Sequence, residues 1–344
     1  MSDLSVIDVS ALVYVGNTSK HYCERTYYGY PVGGIHYLMR YVTTALIKRN
    51  GLVLCFDSPS FRVQIDNNYK SGRVKNASVI SQIETVYEAL SSCGIKCEKY
   101  DTYEADDIID WVCQANVGKY ESIDIIGNDL DLCHSVQNGV RFVSVCSGTN
   151  IVHYGNFEYA IVQGKRIRFN TISAYKVFAG CSSDKIPSMR LRNGIGGYAL
   201  YNEFLKYVDQ KYPDAKYKLL VDYRLPVAFA VKSGLFEEDE QQDVLRRARL
   251  VYPAAPPEDV SIMTTFWSGV NKGKLCEFLS MYNDLDSLAC ITDRRPVLTD
   301  IQKNEIRRKA QSLHTGEYAA DHNVEPVSKA KVSTLMLDAF TREF

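Results

Sequence analysis

Ser122–Asp129, SIDIIGND, reads as a buried β-strand: Ile123, Ile125 and Ile126 supply the apolar run, and an acid closes it. A second acid, Asp131, follows two residues on, in GNDLD. Three more apolar runs of strand length occur in the first 145 residues: LSVID (4–8), GLVLCFD (51–57) and VRFVSV (140–145). Helical patterns separate them, over 34–49, 79–93 and 104–116. Strands alternating with helices predict a parallel sheet in an α/β domain, with right-handed crossovers placing helices on both faces. From about residue 165 the pattern turns mainly helical (171–179, 197–210, 213–231, 239–250, 273–282), with PAAPPED (253–259) as a turn or linker. The expected division is an α/β domain over 1–165, a helical region over 166–313, and a polar linker with an apolar tail over 314–344.

The 344 residues suffice for two domains or one large one; 46% are hydrophobic and 24% charged, so a packed core is expected. The formal net charge of −1 means that any nucleic-acid binding must come from local patches. No apolar run approaches the ~18 residues of a membrane span, and MSDLSVIDVS lacks the basic and apolar regions of a signal peptide. Ten cysteines without a CxxC pair suit reduced thiols in a cytoplasm.

The acids fall at the strand ends. Asp8 closes the first strand, Asp57 the second, and Asp129 and Asp131 follow the third. Ligands of open α/β sheets bind outside the carboxyl ends of the strands, so these carboxylates converge on one rim. YEADDIIDWV (103–112) starts a helix with Glu104, Asp106 and Asp107 in its first residues, at what could be the same rim. Carboxylates this close raise one another's pKa values unless a cation joins them. An oxygen-only set favours Mg²⁺ or Mn²⁺ over zinc, and Mg²⁺ typically links protein carboxylates to phosphate. Structural readings exist for each acid alone: Asp101 and Glu104 make a D-x-x-E capping box, and Asp8 and Asp57 are at home in strand-end turns. The whole set in register favours metal.

Six motifs in order, VIDVSALVY, VLCFDSPSFR, NNYKSGR, YEADDIID, IIGNDLDL and GCSSDKIPSMRLRNGIGGYAL, resemble the 5′-nuclease (flap endonuclease) family over residues 5 to about 205. The likeness extends to bacteriophage 5′–3′ exonucleases, including the phage ribonuclease H type that removes RNA primers. The resemblance implies a PIN-like nuclease domain with a helical arch at about 58–78, and a helix–three-turn–helix that grips duplex DNA. It also implies two divalent ions: one at Asp8, Asp57, Glu104, Asp106 and Asp129, with Asp107 as an outer neighbour, and one at Asp131 and Asp184. The polar, basic 58–78 segment, otherwise a solvated loop, then acquires roles. Lys70 and Arg73 face the scissile phosphate, Arg62 holds a neighbouring phosphate, and Tyr69 stacks on a base. In RLRNGIGGYAL, Gly194 and Gly196 let a turn approach a phosphate, Arg190 and Arg192 contact the backbone, and a K⁺ ion is expected in the turn.

One departure stands out: where the family reads GDxSDNIPG, this chain reads GCSSDKIPS, with Cys181 in place of an aspartate and Lys185 in place of the asparagine. A thiol is a poor Mg²⁺ ligand. The expected function is therefore a metal-dependent 5′–3′ exonuclease and flap endonuclease acting on branched DNA and RNA–DNA hybrids, in a phage-infected bacterial cell, as a monomer. The alternative is a structure-specific DNA-binding protein with weak or no catalysis. A haloacid-dehalogenase-type phosphatase needs a DxD pair where the chain reads IDVS, no GxxxxGK[ST] loop supports an ATPase, and His21, His36, His134 and His153 are isolated. The far C-terminus, VSTLMLDAF (332–340), is either a last core element or a docking peptide for a sliding clamp.

Overall fold

A computed structural model describes residues 2–48, 50–145, 152–153, 159–162, 164–213, 222–258, 260–262, 264–292 and 299–315. The docking-peptide reading of 332–340 lies outside these residues.

In chain order the elements are β1 (Leu4–Asp8), α1 (Val9–Thr18), β2 (Thr26–Tyr27), β3 (Tyr30–Pro31), α2 (Gly33–Ile47), β4 (Gly51–Cys55), α3 (Arg62–Ile65), α4 (Ala77–Ser92), β5 (Cys97–Glu98), α5 (Ala105–Asn116), β6 (Ile123–Gly127), β7 (Val140–Ser144), β8 (Val152–His153), β9 (Tyr159–Val162), β10 (Lys165–Arg168), α6 (Ile172–Ala179), α7 (Gly197–Lys211), α8 (Arg224–Lys232), α9 (Glu238–Val251), α10 (Lys272–Met281), α11 (Leu285–Ile291) and α12 (Asp300–Thr315). The main sheet runs β5-β4-β1-β6-β7-β8. Its first five strands are parallel, and β8 is antiparallel to β7. The four expected strands form at nearly the predicted bounds, because continuous runs of Val, Ile and Leu suit strands covered on both faces.

The order also fixes where a ligand can sit. From β1 the chain builds outward through β4 and β5, then returns through α5 to β6 on the other side of β1. That reversal makes the crevice beyond the ends of β1 and β6 the topological switch point of the sheet.

The two-residue period of the strands sorts the core into two layers. Leu4, Val6, Val53, Cys55, Ile123 and Ile125 face α5 and the helices α6–α9. Ile7, Leu52, Leu54, Ile126 and Val143 face α1, α2 and α4, together with Leu275, Phe278, Leu288, Ile306 and Leu313 of α10–α12. The chain passes between the faces beside β4, where Leu52 and Thr265 exchange backbone hydrogen bonds of 2.9 Å in both directions. The change in pattern near residue 165 is therefore a change in secondary structure, while the packed core runs across it.

α1, α11 and α12 add to the expected helices. The 58–78 segment contains the short α3 and a turn, and both fold down over the ends of the central strands, where Arg62 and Tyr69 are buried.

Candidate metal centre

Three acids are brought to the switch point by the way their own helices begin. Asp8 is the N-cap of α1, and its Oδ1 accepts from the Ala11 amide at 3.0 Å. Glu104 is the N-cap of α5. Asp129 caps the 3₁₀ turn Leu130–Ser135, accepting from the Asp131 amide at 3.0 Å. Capping and gathering of the acids are thus one arrangement: unsatisfied amides at each helix start hold a carboxylate at the sheet rim. The capping box sits three residues later than the D-x-x-E of Asp101 and Glu104 predicted, at Glu104 and Asp107. Gly127 closes β6, and a Cβ there would lie 2.6 Å from Leu132 Cδ1 and 3.5 Å from Asp8 Cβ, so glycine keeps room beside the acid.

One carboxylate oxygen from each of Asp106, Asp129 and Asp131 lies within 4.8 Å of the others. Asp8 is buried behind them, and Asp57, exposed, accepts from the Ala105 amide at 2.9 Å. Among the described residues, no lysine or arginine ion pair reaches Asp8, Asp57, Asp106 or Asp129. The electrostatics record the shortage. Burial, then the neighbouring Asp57 charge, pushes Asp8 up to about 7. Burial and Asp129 hold Asp106 well above the usual carboxylate range. Burial pushes Asp131 up to about 6 against the pull of Lys176. At Asp129 burial also acts upward, but Lys176, the Asp131 amide, Lys70 and Arg73 outweigh it and lower the pKa. A hard divalent cation, with oxygen ligands only, fits this deficit.

Four expectations change on contact with the geometry. Asp107 was expected beside a metal. Instead it is fully buried and sealed in: both oxygens take the Arg62 guanidinium at 2.7 and 2.8 Å, and they also accept from the Glu104 amide at 3.1 Å and the Ala254 amide at 2.8 Å. Arg62 was expected on a phosphate. It is 3% exposed and donates to Asp107, to Glu104 at 3.0 Å and to the Tyr252 carbonyl at 2.9 Å, because a buried guanidinium needs carboxylate partners. Tyr69 was expected to stack on a base, but it is buried and its hydroxyl donates to Glu104 Oε2 at 3.0 Å. Glu104 was expected on the metal. It lines the same cleft as the clustered acids but carries Arg62, Tyr69 and Lys70, the last at 2.5 Å.

The remaining acids lie on the side toward α6. Asp184 is buried; its Oδ1 takes Arg73 at 2.8 Å and its Oδ2 accepts from the Cys181 thiol at 3.0 Å. Burial pushes the Cys181 thiol up to about 11, so the sulfur keeps its proton. The Lys70 amide donates to the Asp184 carbonyl at 3.1 Å, tying the 58–78 segment to this loop. Lys176 of α6 was missed by sequence reasoning. Its ammonium forms an ion pair with Asp131, with 13% of the side chain exposed. A signal existed: Ile172, Ala174, Tyr175, Val177 and Phe178 are buried around it, and a lone cation on such a helix needs a carboxylate.

The turn after α6 holds the other predicted contacts. Gly194 has φ +89°, and Gly196 is the N-cap of α7; a Cβ at either would meet nothing within 4 Å, so the space beside both is open. Arg190 and Arg192 are exposed, and Arg192 pairs with Asp239 at 2.5 Å. Arg247 of α9 braces this turn, gripping Asp243 at 2.6 Å and the Pro187 carbonyl. A cavity of about 1090 Å³ is lined by Trp111, Tyr223, Tyr252 and Ile262 and holds none of the clustered acids.

Residues 3–163 match the family described as the 5′-3′ exonuclease, N-terminal resolvase-like domain. The chain is 29% identical over 147 residues to the 5′-3′ exonuclease of Mycoplasma pneumoniae, covering 42% of this chain and 50% of that protein. It is 30% identical over 158 residues to the 5′-3′ exonuclease of Mycoplasma genitalium, covering 44% and 53%. The chain thus spans about half the length of these curated relatives. A solved structure of T5 5′-exonuclease with bound zinc has a TM-score of 0.47 at 12% identity, covering 90% of this chain and 98% of that one.

Proposed function

We propose that this chain is a member of the 5′-nuclease family and a divalent-metal-dependent phosphodiester hydrolase acting near the 5′ ends of branched DNA. The observation that carries this reading is the cluster of Asp106, Asp129 and Asp131 at the switch point, with Asp8 beside it, where Asp8 and Asp106 are held above the usual carboxylate range. Mg²⁺ or Mn²⁺ held there would supply a water of lowered pKa and charge neutralisation at the phosphate. The protein's own part is positioning. Lys70 and Arg73 stand at the edge of the same cleft, and each could share its donors between a carboxylate and a phosphate oxygen as charge builds on the latter. Arg62 and Tyr69 hold Glu104 and Asp107 rigid, so the helix that carries Asp106 keeps its register.

Grip on DNA falls to the α6–α7 turn. Exposed Arg190 and Arg192, with the open backbone at Gly194 and Gly196 before the α7 amides, suit sequence-independent phosphate contacts, and a K⁺ ion would fit the same role. Removal of RNA primers from RNA–DNA hybrids, and a sliding-clamp partner for residues 332–340, complete the reading.

The test is cleavage of a 5′-labelled flap duplex in Mg²⁺, Mn²⁺ and EDTA, beside Asp129→Ala. Metal-dependent cutting that the substitution abolishes is expected. Tight flap binding in Ca²⁺ with no cutting in either active metal would instead support the non-catalytic alternative raised by Cys181.

A further inference from the structure

The acids on the α6 side behave unlike those on the β1 side. Asp131 already has a cation, the Lys176 ammonium. Asp184 has two partners, Arg73 at 2.8 Å and the Cys181 thiol at 3.0 Å, one on each oxygen. Cys181 itself offers sulfur where an oxygen ligand would be needed for Mg²⁺. The positions expected to hold a second ion are therefore filled from within the protein, and this donor set does not fit one. Lys176 is 13% exposed along its side chain, on a helix whose Ile172, Tyr175, Val177 and Phe178 are buried in the core.

We infer that this protein takes a single divalent ion, at the Asp8–Asp106–Asp129 side, and that Lys176 supplies a fixed positive charge where a second ion would stand. The inference rests on the metal-dependent reading above and sharpens it. Asp131 then serves both charges: one oxygen is held by the lysine, and Asp131 remains close enough to Asp106 and Asp129 for its other oxygen to face the ion. The consequence is a centre with one exchangeable cation and one that is encoded in the chain.

The test counts ions without using activity. Free protein is titrated with Mn²⁺ while unbound Mn²⁺ is followed by its paramagnetic resonance signal. The wild type should saturate at one ion per chain. Lys176→Met/Cys181→Asp, which removes the ammonium and adds a carboxylate, should take two, with the second bound about a hundred-fold or more tighter than any second ion in the wild type. Cys181→Asp alone keeps Lys176 and provides a variant free of the risk that an uncovered Asp131 unfolds the protein; it should still take one. Far-ultraviolet circular dichroism checks each fold. Two ions in the wild type would overturn this inference and leave the metal-dependent reading standing. No ion at all would overturn both.

Discussion

Two groups of acids meet at one rim and solve the same electrostatic problem differently. On the β1 side, buried Asp8 and half-buried Asp106 lie among other carboxylates with no ion pair to a lysine or arginine among the described residues, and both are held above the usual range. On the α6 side, Asp131 and Asp184 lean on Lys176 and Arg73. Folding the first group has an unfavourable cost that only an external cation or protons can offset; folding the second is balanced by the chain itself. The difference teaches that a row of acids is not enough to define a metal site. What matters is which of them the protein leaves without a partner.

The largest expected effect is on cleavage. Asp106→Asn should slow it on the order of a thousand-fold, about 4 kcal/mol of barrier, whereas Asp184→Asn should cost only about ten-fold. Single-turnover rates on a flap duplex measure both, and equal losses would erase the distinction between the two groups. Next in size is Arg62→Met, which leaves Asp107 buried and unpaired and should destabilise the fold by roughly 3–5 kcal/mol in urea unfolding. A change below about 1 kcal/mol would mean that the ion pair contributes little net stability.

A third prediction concerns pH. Asp8 has a folded pKa of about 7, above the ordinary 3.8, so the metal-free fold keeps a proton that the unfolded chain gives up. Its contribution to stability should therefore decline as pH rises from about 4 to about 7, by on the order of a few kcal/mol. The stability difference between wild type and Asp8→Asn, measured in EDTA across that window, isolates the term, and saturating Mg²⁺ should reverse it. A flat difference would show that Asp8 is not short of positive charge. The smallest effect is expected at the far turn. Arg192→Ala removes an exposed pair and should shift stability by less than ~1 kcal/mol. It should also weaken binding to flaps of any sequence and lower the salt slope by about one.

Much of the first group was legible in the sequence. Apolar runs ending in Asp8 and Asp129 state both a strand and its rim, since periodicity and strand polarity are local properties. The second group was only half legible. Asp131, Asp184 and the oddity of Cys181 could be read from motif order, but Lys176 lies in a different element from the acid it meets. Arg62 and Tyr69 were misread for a related reason. A polar, basic stretch resembles a solvated loop until its partners are known, and those partners, Glu104, Asp107 and the Tyr252 carbonyl, stand 35 to 190 positions away. PAAPPED, read as a linker, turned out to cap Asp107 through the Ala254 amide and to receive the Trp111 indole N–H at the Ala254 carbonyl, 2.6 Å away. α12 escaped because its buried residues, Ile306, Ala310 and Leu313, are too few to stand out in a charged helix.

The chain's passage beside β4 has a consequence for how the protein comes into being. Each face of the sheet is completed by helices encoded after residue 170: α6–α9 join α5 on one face, and α10–α12 join α1, α2 and α4 on the other. As the chain leaves the ribosome, the five parallel strands emerge first, with much of their apolar surface still bare. One face is not complete until α9 has emerged, and the other not until Leu313 is free of the exit tunnel. A nascent chain stalled near residue 165 should therefore recruit chaperones rather than fold, and a gene cut there would encode an aggregate instead of a minimal nuclease.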